Sequence, residues 1–378
     1  MPISPTQQQA LNQLVAQPDL LLDGLQCYVV GGAVRDTLLG LPVGDRDWVV
    51  VGASPEHLAQ RGFIPVGGDF PVFLHPQTKE EFALARTERK SGRGYQGFTF
   101  YTGPDVTLAD DLSRRDLTIN ALAIDTQGQF YDPLGGYADL EQKTLRHIGT
   151  AFVEDPVRLL RLARFAARFS SFRIAAETEQ LALQLVQNGE VDALVPERVW
   201  QELHKGLQTH DPLRMVQVLA QCGALERVLP GLRLSPTLDT AMACAIRHDL
   251  STLQRFAILC SQSPHPESIA QHIKAPTAYK EAARLLPLLL DAAQAQPTPN
   301  QMAQALQRLD SLRKPERYRQ LVQAAECVAQ ANWPLWQQAA CVFANVDAAA
   351  IAQQHQAQPQ AIPAAILKAR IAALAAIF

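Results

Sequence analysis

Short apolar runs alternate with glycine-containing turns through the first third of the chain. The runs at 28–30 and 48–51 enclose a glycine pair, a helix-forming stretch and a second turn, which predicts the order strand, turn, helix, turn, strand. Further short strands are predicted at 63–66, 72–74 and 81–85. Because the runs are short and are not separated by long helices, they predict an α+β fold with a mixed, largely antiparallel sheet.

The rest of the chain has apolar residues at helical spacing and shows no strand alternation. The apolar stretch at 362–378 contains Lys368 and Arg370, which favours a packed helix over a membrane span. The predicted organisation has four parts: an N-terminal helical extension (1–25), an α+β head (26–150), a helical neck (151–225) and a helical body and tail (226–378).

Composition narrows the function classes only slightly. A hydrophobic content of 47% with 19% charged residues is ordinary for a soluble globular protein. The net charge of −3 means that any surface for nucleic acid must be local. The six cysteines form no C-x-x-C pair and predict reduced core thiols. No basic and apolar leader stands at the N-terminus, so we expect a cytoplasmic protein without membrane contact. Separately, we expect a monomer.

Two aspartates enter the second predicted strand. Strand alternation places Asp45 and Asp47 on one side and Arg46 on the other, so the two carboxylates repel each other unless a cation such as Mg²⁺ lies between them. Gly31 and Gly32 precede a predicted helix, where free N–H groups suit a phosphate. Either feature alone is more often a tight turn or a solvated cap. Together they indicate metal-assisted phosphoryl or nucleotidyl transfer, and no third glycine completes a dinucleotide-binding motif.

Three other features of the head carry candidate chemistry. The segment 85–97 mixes basic residues with three glycines and predicts a mobile basic loop near phosphate, with a solvated hairpin as the alternative. Arg115 and Asp116 lie within a buried apolar segment, so they require either a ligand or each other as partners. Glu81 begins a strand and is either a third carboxylate near the metal or a solvated residue.

A predicted helix at 151–169 carries four arginines along one face. They stand at 158, 161, 164 and 168, with apolar residues on the opposite side. Glu154, Asp155 and Pro156 precede them, and all three residue types are favourable at a helix start. Because no acids face the arginines at helical spacing, they indicate an anionic ligand more strongly than a solvated face.

These segments resemble a known enzyme family. GGAVRD (31–36), DRDWVV (45–50), RRDLTINA (114–121) and EDPVRLLR (154–161) are similar to motifs of class II tRNA nucleotidyltransferases, the CCA-adding enzymes, and of bacterial poly(A) polymerases. The resemblance implies a polymerase-β-like nucleotidyltransferase head followed by an all-α neck, body and tail, with the body and tail (226–378) binding tRNA. It also implies that the protein adds CCA to the 3′ end of tRNA from CTP and ATP, with Mg²⁺ and without a nucleic-acid template.

The resemblance also assigns site residues. It implies that Asp45 and Asp47 hold the catalytic metals, while Asp155 and Arg158 read the Watson–Crick edges of CTP and ATP. The same resemblance places the other nucleotide contacts, to triphosphate, ribose or base, at Gly31, Gly32, Arg35, Arg115, Asp116, Arg161 and Arg164.

Several alternatives stay open at this point. A poly(A) polymerase of the same family shares the motifs of the head, and a partial enzyme would add only CC or only A. An RNA-binding protein with an inactive head is a further alternative, although the intact Asp45 and Asp47 count against it. Some relatives carry a His-Asp metal phosphohydrolase domain. Here His248-Asp249 lacks the further ligands that such a site needs, so we predict no phosphohydrolase activity.

Overall fold

The computed structural model describes residues 3–17, 19–66, 72–90 and 98–378. These residues form two compact units. The first contains the chain through Val195 together with Arg214–Ala224, and the second contains Pro196–Leu213 and Leu225–Phe378. The predicted boundary between head and neck at residue 150 falls inside the first unit, whereas the predicted start of the body at residue 226 coincides closely with re-entry into the second. The four-part division stays a prediction.

The strands of the described chain all lie in the first unit, and seven of them form one mixed sheet in the order β3-β4-β5-β2-β1-β8-β9. Neighbours in this sheet are antiparallel except for the parallel pair β2 and β5. This confirms the predicted mixed α+β head. The strands are β1 Gln26–Val30, β2 Asp47–Val51, β3 Ile64–Val66, β4 Val72–Leu74, β5 Glu81–Leu84, β6 Thr87–Lys90, β7 Phe98–Tyr101, β8 Ala123–Asp125, β9 Phe130–Tyr131, β10 Thr144–Leu145 and β11 Arg173–Ile174.

The first unit also contains helices, and the helix Gly32–Leu38 contacts β1 of this sheet. The predicted N-terminal helix is present, and Ser4 and Gln7 form a reciprocal capping box at its start. Short 3-10 turns occur at Leu20–Leu22, Thr118–Asn120, Thr150–Glu154 and Glu190–Ala193. The α-helices are α1 Pro5–Leu14, α2 Gly32–Leu38, α3 Pro55–Gln60, α4 Leu108–Ser113, α5 Gly136–Glu141, α6 Val157–Arg168 and α7 Ala176–Gln187.

The second unit is built from helices, as the apolar spacing predicts, and α9 continues from it into the first unit at Arg214. No helix in the described part of the chain is long and apolar enough to cross a membrane. The helices are α8 Pro196–Leu207, α9 Pro212–Gln221, α10 Leu225–Val228, α11 Pro236–Arg247, α12 Thr252–Cys260, α13 Pro266–His272, α14 Thr277–Gln294, α15 Pro299–Arg308, α16 Pro315–Val328, α17 Trp333–Ala344, α18 Ala348–Gln354 and α19 Ile362–Ala375.

The prediction of six reduced core thiols is wrong for three cysteines. Cys244 on α11 and Cys327 on α16 form a disulfide, with Cα atoms 5.4 Å apart. The two residues are 83 positions apart, so only the packing of their helices brings them together. Cys341 is exposed rather than in the core, while the other three thiols are buried as predicted. Burial raises the pKa of the Cys27 thiol to about 12.

The predicted loop at 85–97 differs from the structure at its beginning. Thr87–Lys90 is strand β6, which pairs with Phe98–Tyr101 as a separate two-stranded sheet. Its glycines and Tyr95 lie outside the described residues. The pairing register matches Thr87 with Tyr101 and Lys90 with Phe98, so the described residues on either side of 91–97 are paired strands.

A buried cluster beneath the sheet supports the strand ends that carry the candidate site. It joins Val30 of β1 and Val49 of β2 to Leu112 of α4. Ala121 and Ala123 follow the 3-10 turn and belong to the same cluster. Because protein interiors are close-packed, this cluster fixes the relative positions of β1, β2 and the segment that follows α4.

Candidate active site

Asp47 is the first residue of strand β2, and Asp45 lies two residues before it. Both side chains are exposed, while Trp48 after them is buried. Arg46 turns to the other face of the sheet, where its Nε atom donates to Glu80 Oε1 at 2.6 Å and its guanidinium lies 5.5 Å from the ring centre of Trp48. Arg46 therefore points away from both aspartates, as the alternation expected from the sequence requires.

Burial and two charged neighbours shift the pKa of the Asp47 carboxyl group. Partial burial raises its pKa above the ordinary value of 3.8, Arg115 lowers it, and Asp45 raises it again by repulsion. The two aspartates and Arg115 thus lie close enough to interact electrostatically. A cation at this position would relieve the repulsion between the carboxylates and favour their charged forms.

The pair fits the protein's share of a magnesium site. Among the described residues, no three His, Cys, Asp or Glu side chains are grouped closely enough to hold a metal ion. Mg²⁺ commonly takes one or two carboxylates and completes its shell with water and substrate phosphate oxygens, so two aspartates are sufficient. Glu81 on β5 is the parallel register neighbour of Asp47 and is also exposed, which places it beside the pair.

The turn after β1 brings Arg115 against the main chain. Gly31 has φ of +70°, which favours glycine, and its N–H donates to the Leu122 carbonyl oxygen at 2.9 Å. A Cβ atom at Gly31 would lie 3.0 Å from Nη1 of Arg115. Gly32 is the first residue of α2. The absence of a side chain at Gly31 therefore lets Arg115 lie against the turn.

Arg35, which the resemblance assigns to nucleotide binding, is turned inward in this structure. It is 2% exposed, its Nε atom donates to Asp36 Oδ1 at 2.9 Å, and its Nη1 atom donates to the Asn120 side chain. The guanidinium also lies 5.2 Å from the ring centres of Phe165 and Phe169 on α6. Burial lowers its pKa to about 10, although Asp36 opposes that shift. In this position Arg35 connects α2 to α6.

Asp111 on α4 holds two consecutive arginines. It is fully buried, accepts from Nη2 of Arg114 at 2.7 Å and from Nη2 of Arg115 at 3.1 Å, and is ionised because these cations outweigh its burial and lower its pKa. The Nε atom of Arg115 is buried and has no hydrogen-bond partner among the described residues. That N–H is therefore a buried donor that the described protein groups leave unsatisfied.

Asp116 lies at the centre of a buried network. Its Oδ1 atom accepts from the Leu117 N–H and from Asn120 Nδ2, both at 2.9 Å, and its Oδ2 atom accepts from Arg161 Nε at 2.6 Å. Burial on its own raises the pKa of Asp116, but the ion pair with Arg161 and these hydrogen bonds lower it to about 2. The carboxylate is therefore charged at neutral pH and is held by α6.

The remaining predicted residues lie on or just before α6. Arg158 is 8% exposed and donates from Nη2 to the Arg114 carbonyl oxygen at 2.5 Å and from Nη1 to the Arg115 carbonyl oxygen at 3.4 Å. Asp155 accepts from the Val157 N–H at 3.0 Å at the start of the helix. Arg164 packs on the ring of Phe165, 4.3 Å from its centre. Protein contacts thus join five of the predicted residues in one region of the first unit: Arg35, Arg115, Asp116, Arg158 and Arg161.

Glu88 and Asp36 are members of this network that sequence reasoning missed. Glu88 on β6 accepts from Arg114 Nη1 at 2.8 Å and from Arg86 Nε at 3.1 Å. Asp36 accepts from Arg168 Nη2 at 2.7 Å and so joins α2 to the end of α6. A signal was present for Glu88, since it is the single acid within the basic segment 86–93. Asp36 ends the motif GGAVRD, but no sequence signal indicates its contact with Arg168, which lies 132 residues away.

Two family models match the chain. Residues 27–146 match the poly A polymerase head domain, which spans the sheet and the aspartate pair. Residues 171–234 match the model described as the probable RNA and SrmB-binding site of polymerase A. The matches fall on either side of α6, the helix that carries the predicted base-reading residues.

Relatives that align over most of their own length, and solved structures, agree with these family matches. A protein of Bordetella bronchiseptica named CCA-adding enzyme is 55% identical, covering 93% of this chain and 96% of its own. A multifunctional CCA protein of Azoarcus is 46% identical, covering 93% and 97%. The Bacillus stearothermophilus CCA-adding enzyme in complex with CTP superposes with a TM-score of 0.70 at 25% identity, covering 98% of this chain and 93% of that one. The chain therefore belongs to the family of CCA-adding enzymes, as its sequence motifs predict.

Proposed function

We propose that the protein adds and repairs the 3′-terminal CCA of tRNA, using CTP and ATP and releasing pyrophosphate. One observation carries the proposal: an exposed aspartate pair leads into β2 of a nucleotidyltransferase head, beside Arg115 and the Gly31 turn. The relatives named CCA-adding enzymes support the acceptor and the two substrates. In the reaction the 3′-hydroxyl oxygen of tRNA attacks the α-phosphorus of the nucleotide, and the bond to the β-phosphate breaks.

The aspartate pair would supply the protein ligands of Mg²⁺. Bound there, Mg²⁺ would lower the pKa of the attacking hydroxyl group and stabilise the charge on the leaving pyrophosphate. Asp45 and Asp47 are exposed and mutually repulsive, which suits them to a cation, and Glu81 lies beside them in register. Because Asp47 has a raised pKa before a cation binds, metal affinity should weaken on the acid side of neutrality.

The triphosphate would lie between the Gly31 turn and Arg115. The buried Nε–H of Arg115 has no protein partner among the described residues, and its Nη1 atom lies against the turn. Asp111 anchors the opposite edge of that guanidinium, so the side chain is held in place before the nucleotide arrives. A preorganised cation of this kind binds phosphate without paying the full entropy cost of ordering a long side chain.

Asp116 would read the ribose. Its carboxylate is charged, and an oxygen atom that accepts from Arg161 still has a second lone pair for a 2′-hydroxyl donor. Asn120 and the Leu117 N–H fix its orientation. This arrangement favours ribonucleotides, since a deoxyribose would leave that lone pair without its donor.

Asp155 and Arg158 would select the base. A carboxylate accepts from the exocyclic amine that cytosine and adenine share, and a guanidinium donates to a ring nitrogen or carbonyl oxygen. Arg158 holds the carbonyl groups of Arg114 and Arg115 in this structure, so base reading requires it to turn from them or to use its other N–H groups. Arg161 and Arg164 complete the nucleotide contacts on the same helix.

The test is extension of a tRNA transcript that ends before CCA, with each nucleotide offered separately. We expect CTP alone to add two residues, ATP alone to add none to this acceptor, and both together to add three. Long A tails from ATP alone would establish a poly(A) polymerase, and arrest after CC with both nucleotides would establish a partial enzyme. A chelator should stop all addition, and Mg²⁺ should restore it. Gel filtration of the active species tests the expected monomer.

A further inference from the structure

The second unit carries a concentrated group of cations far along the chain from the aspartate pair. It surrounds a cavity of about 480 Å³ between α14, α15 and the start of α16. We infer that this group, here called the α14–α16 cluster, binds the sugar-phosphate backbone of RNA; the inference rests on the proposed function and specifies where the second unit contacts the acceptor. The cluster comprises Glu281, Arg284, Gln307, Arg308, Asp310, Arg313, Lys314 and Arg317.

Two acids hold part of the cluster in a fixed arrangement. Glu281 accepts from Arg317 Nη1 at 2.5 Å and from Lys314 Nζ at 3.2 Å. Asp310 accepts from Arg313 Nε at 2.7 Å. Arg317 also donates to the Leu309 carbonyl oxygen at 3.0 Å and is only 15% exposed. These contacts order three cations around the cavity before any ligand binds.

Two further arginines at the cavity have no such partner. Arg284 on α14 and Arg308 at the end of α15 are exposed, and neither makes a hydrogen bond or ion pair with a described residue. The Nε atom of Arg317 is buried and also lacks a hydrogen-bond partner in the described chain. With five cations against two acids, the cavity retains positive charge and N–H donors that protein groups do not use.

The residues that line the cavity are suited to a backbone phosphodiester rather than to a nucleotide base. Every lining residue is charged or an amide, and none is aromatic or aliphatic. A nucleotide base would find no ring to stack on and no apolar wall, whereas backbone phosphates need only cations and N–H donors. Because the whole chain has a net charge of −3, RNA affinity must come from local groups of this kind.

The decisive variant is Arg284→Gln with Arg308→Gln, since both side chains are exposed and without protein partners. We expect the dissociation constant for tRNA, measured by filter binding at about 0.1 M salt, to rise about tenfold. The slope of log affinity against log salt should become shallower by about 1 to 2, one phosphate contact for each arginine lost. Addition of CTP at saturating tRNA should keep its maximal rate, because the aspartate pair is untouched.

A matched control removes two exposed cations elsewhere in the same unit, Arg247 and Lys368, as Arg247→Gln with Lys368→Gln. An equal loss of tRNA affinity in both double variants would overturn the inference in favour of diffuse electrostatic attraction. An unchanged salt slope in the cluster variant would overturn it as well. Wild-type protein that binds tRNA but adds no nucleotide would contradict the proposed function alone. Thermal unfolding of both variants confirms that the fold is intact.

Discussion

Among the single residues of the site, Asp47 combines the most opposing influences. It opens β2, faces solvent, repels Asp45 and is attracted by Arg115. Its raised pKa means that the folded state holds this proton more tightly than the unfolded chain does. Metal binding would reverse that preference, because a cation favours the charged carboxylate. A bound cation would therefore stabilise the charged form of Asp47, which the protein surroundings alone disfavour.

Replacing Asp47 by Asn should abolish most nucleotide addition while leaving the fold in place. Loss of one metal-holding carboxylate removes several kcal/mol of transition-state stabilisation, so the single-turnover rate of CMP addition should fall by about 10³-fold or more. Glu80→Gln is the matched control, since Glu80 contacts Arg46 and Trp48 on the opposite face. A rate within about threefold of wild type for Asp47→Asn would show that the pair does not hold the metal.

Asp116 gives a prediction about pH. Its pKa is about 2 in the folded protein against an ordinary value of 3.8. Because this pKa is lowered in the folded state, the ionised carboxylate of Asp116 contributes its full stabilisation above pH 3.8. This contribution disappears as the pH falls toward 2. The shift corresponds to about 2 kcal/mol at neutral pH. Asp116→Asn should therefore be less stable than wild type by roughly this amount at pH 7 in urea unfolding.

The difference between Asp116→Asn and wild type should narrow as the pH is lowered from 4 toward 3. Arg161→Gln should show part of the same loss, and the double variant should lose less than the sum, because the two side chains form one ion pair. A destabilisation that does not change with pH would mean that the hydrogen bonds of Asp116, and not its charge, carry the effect.

At the scale of elements, α6 depends on a cap from α9. Arg214 donates from Nη1 to the carbonyl oxygens of Ala166 and Phe169, at 3.2 and 3.0 Å. It also bonds the carbonyl oxygens of Ser170 and Phe172. A cation here satisfies carbonyl groups that the end of a helix leaves open and interacts favourably with the helix dipole. The helix that would read the base is thereby fixed at the end opposite to Asp155.

Arg214→Ala should destabilise the first unit by about 2 kcal/mol, because several carbonyl groups, most of them partly buried, lose a charged donor. Hydrogen exchange of the amides in 162–172 should accelerate correspondingly. Arg214→Lys should recover part of the stability, and Arg173→Ala, which removes an exposed arginine from the neighbouring strand β11, should change it by less than about 0.5 kcal/mol. If these amides kept their protection from hydrogen exchange in Arg214→Ala, the result would contradict the capping role of Arg214.

The elements also show what could be predicted from the sequence. The order β1, α2, β2 follows from local apolar spacing and turn residues, and it is confirmed. The four arginines of α6 appear as one basic face in the sequence, yet Arg158 and Arg161 are directed to groups more than 40 residues away. Periodicity predicts which side of a helix a residue occupies, but its partner depends on tertiary packing. The Cys244–Cys327 disulfide was missed for the same reason.

At the scale of the whole molecule, the second unit raises the question of a second activity. His248 and Asp249 follow α11 and are both exposed, and Asp249 has φ of +48°. Asp249 lies 3.6 Å from Arg255, and no cluster of three metal-ligating side chains occurs in the described chain. A metal phosphohydrolase needs several such ligands converging from neighbouring helices.

We therefore expect nucleotide addition without metal-dependent phosphoester hydrolysis. Purified full-length protein should hydrolyse bis(p-nitrophenyl) phosphate no faster than buffer in the presence of Mn²⁺, Co²⁺ or Ni²⁺, while adding CCA to tRNA in the same preparation. His248→Ala with Asp249→Asn should change the rate of addition by less than about twofold, because these side chains are exposed at a helix end and make only one weak ion pair. This expectation would be overturned by hydrolysis that depends on added metal and disappears in the double variant. Such hydrolysis would require His248 and Asp249 to recruit further metal ligands, which the described residues do not bring near them.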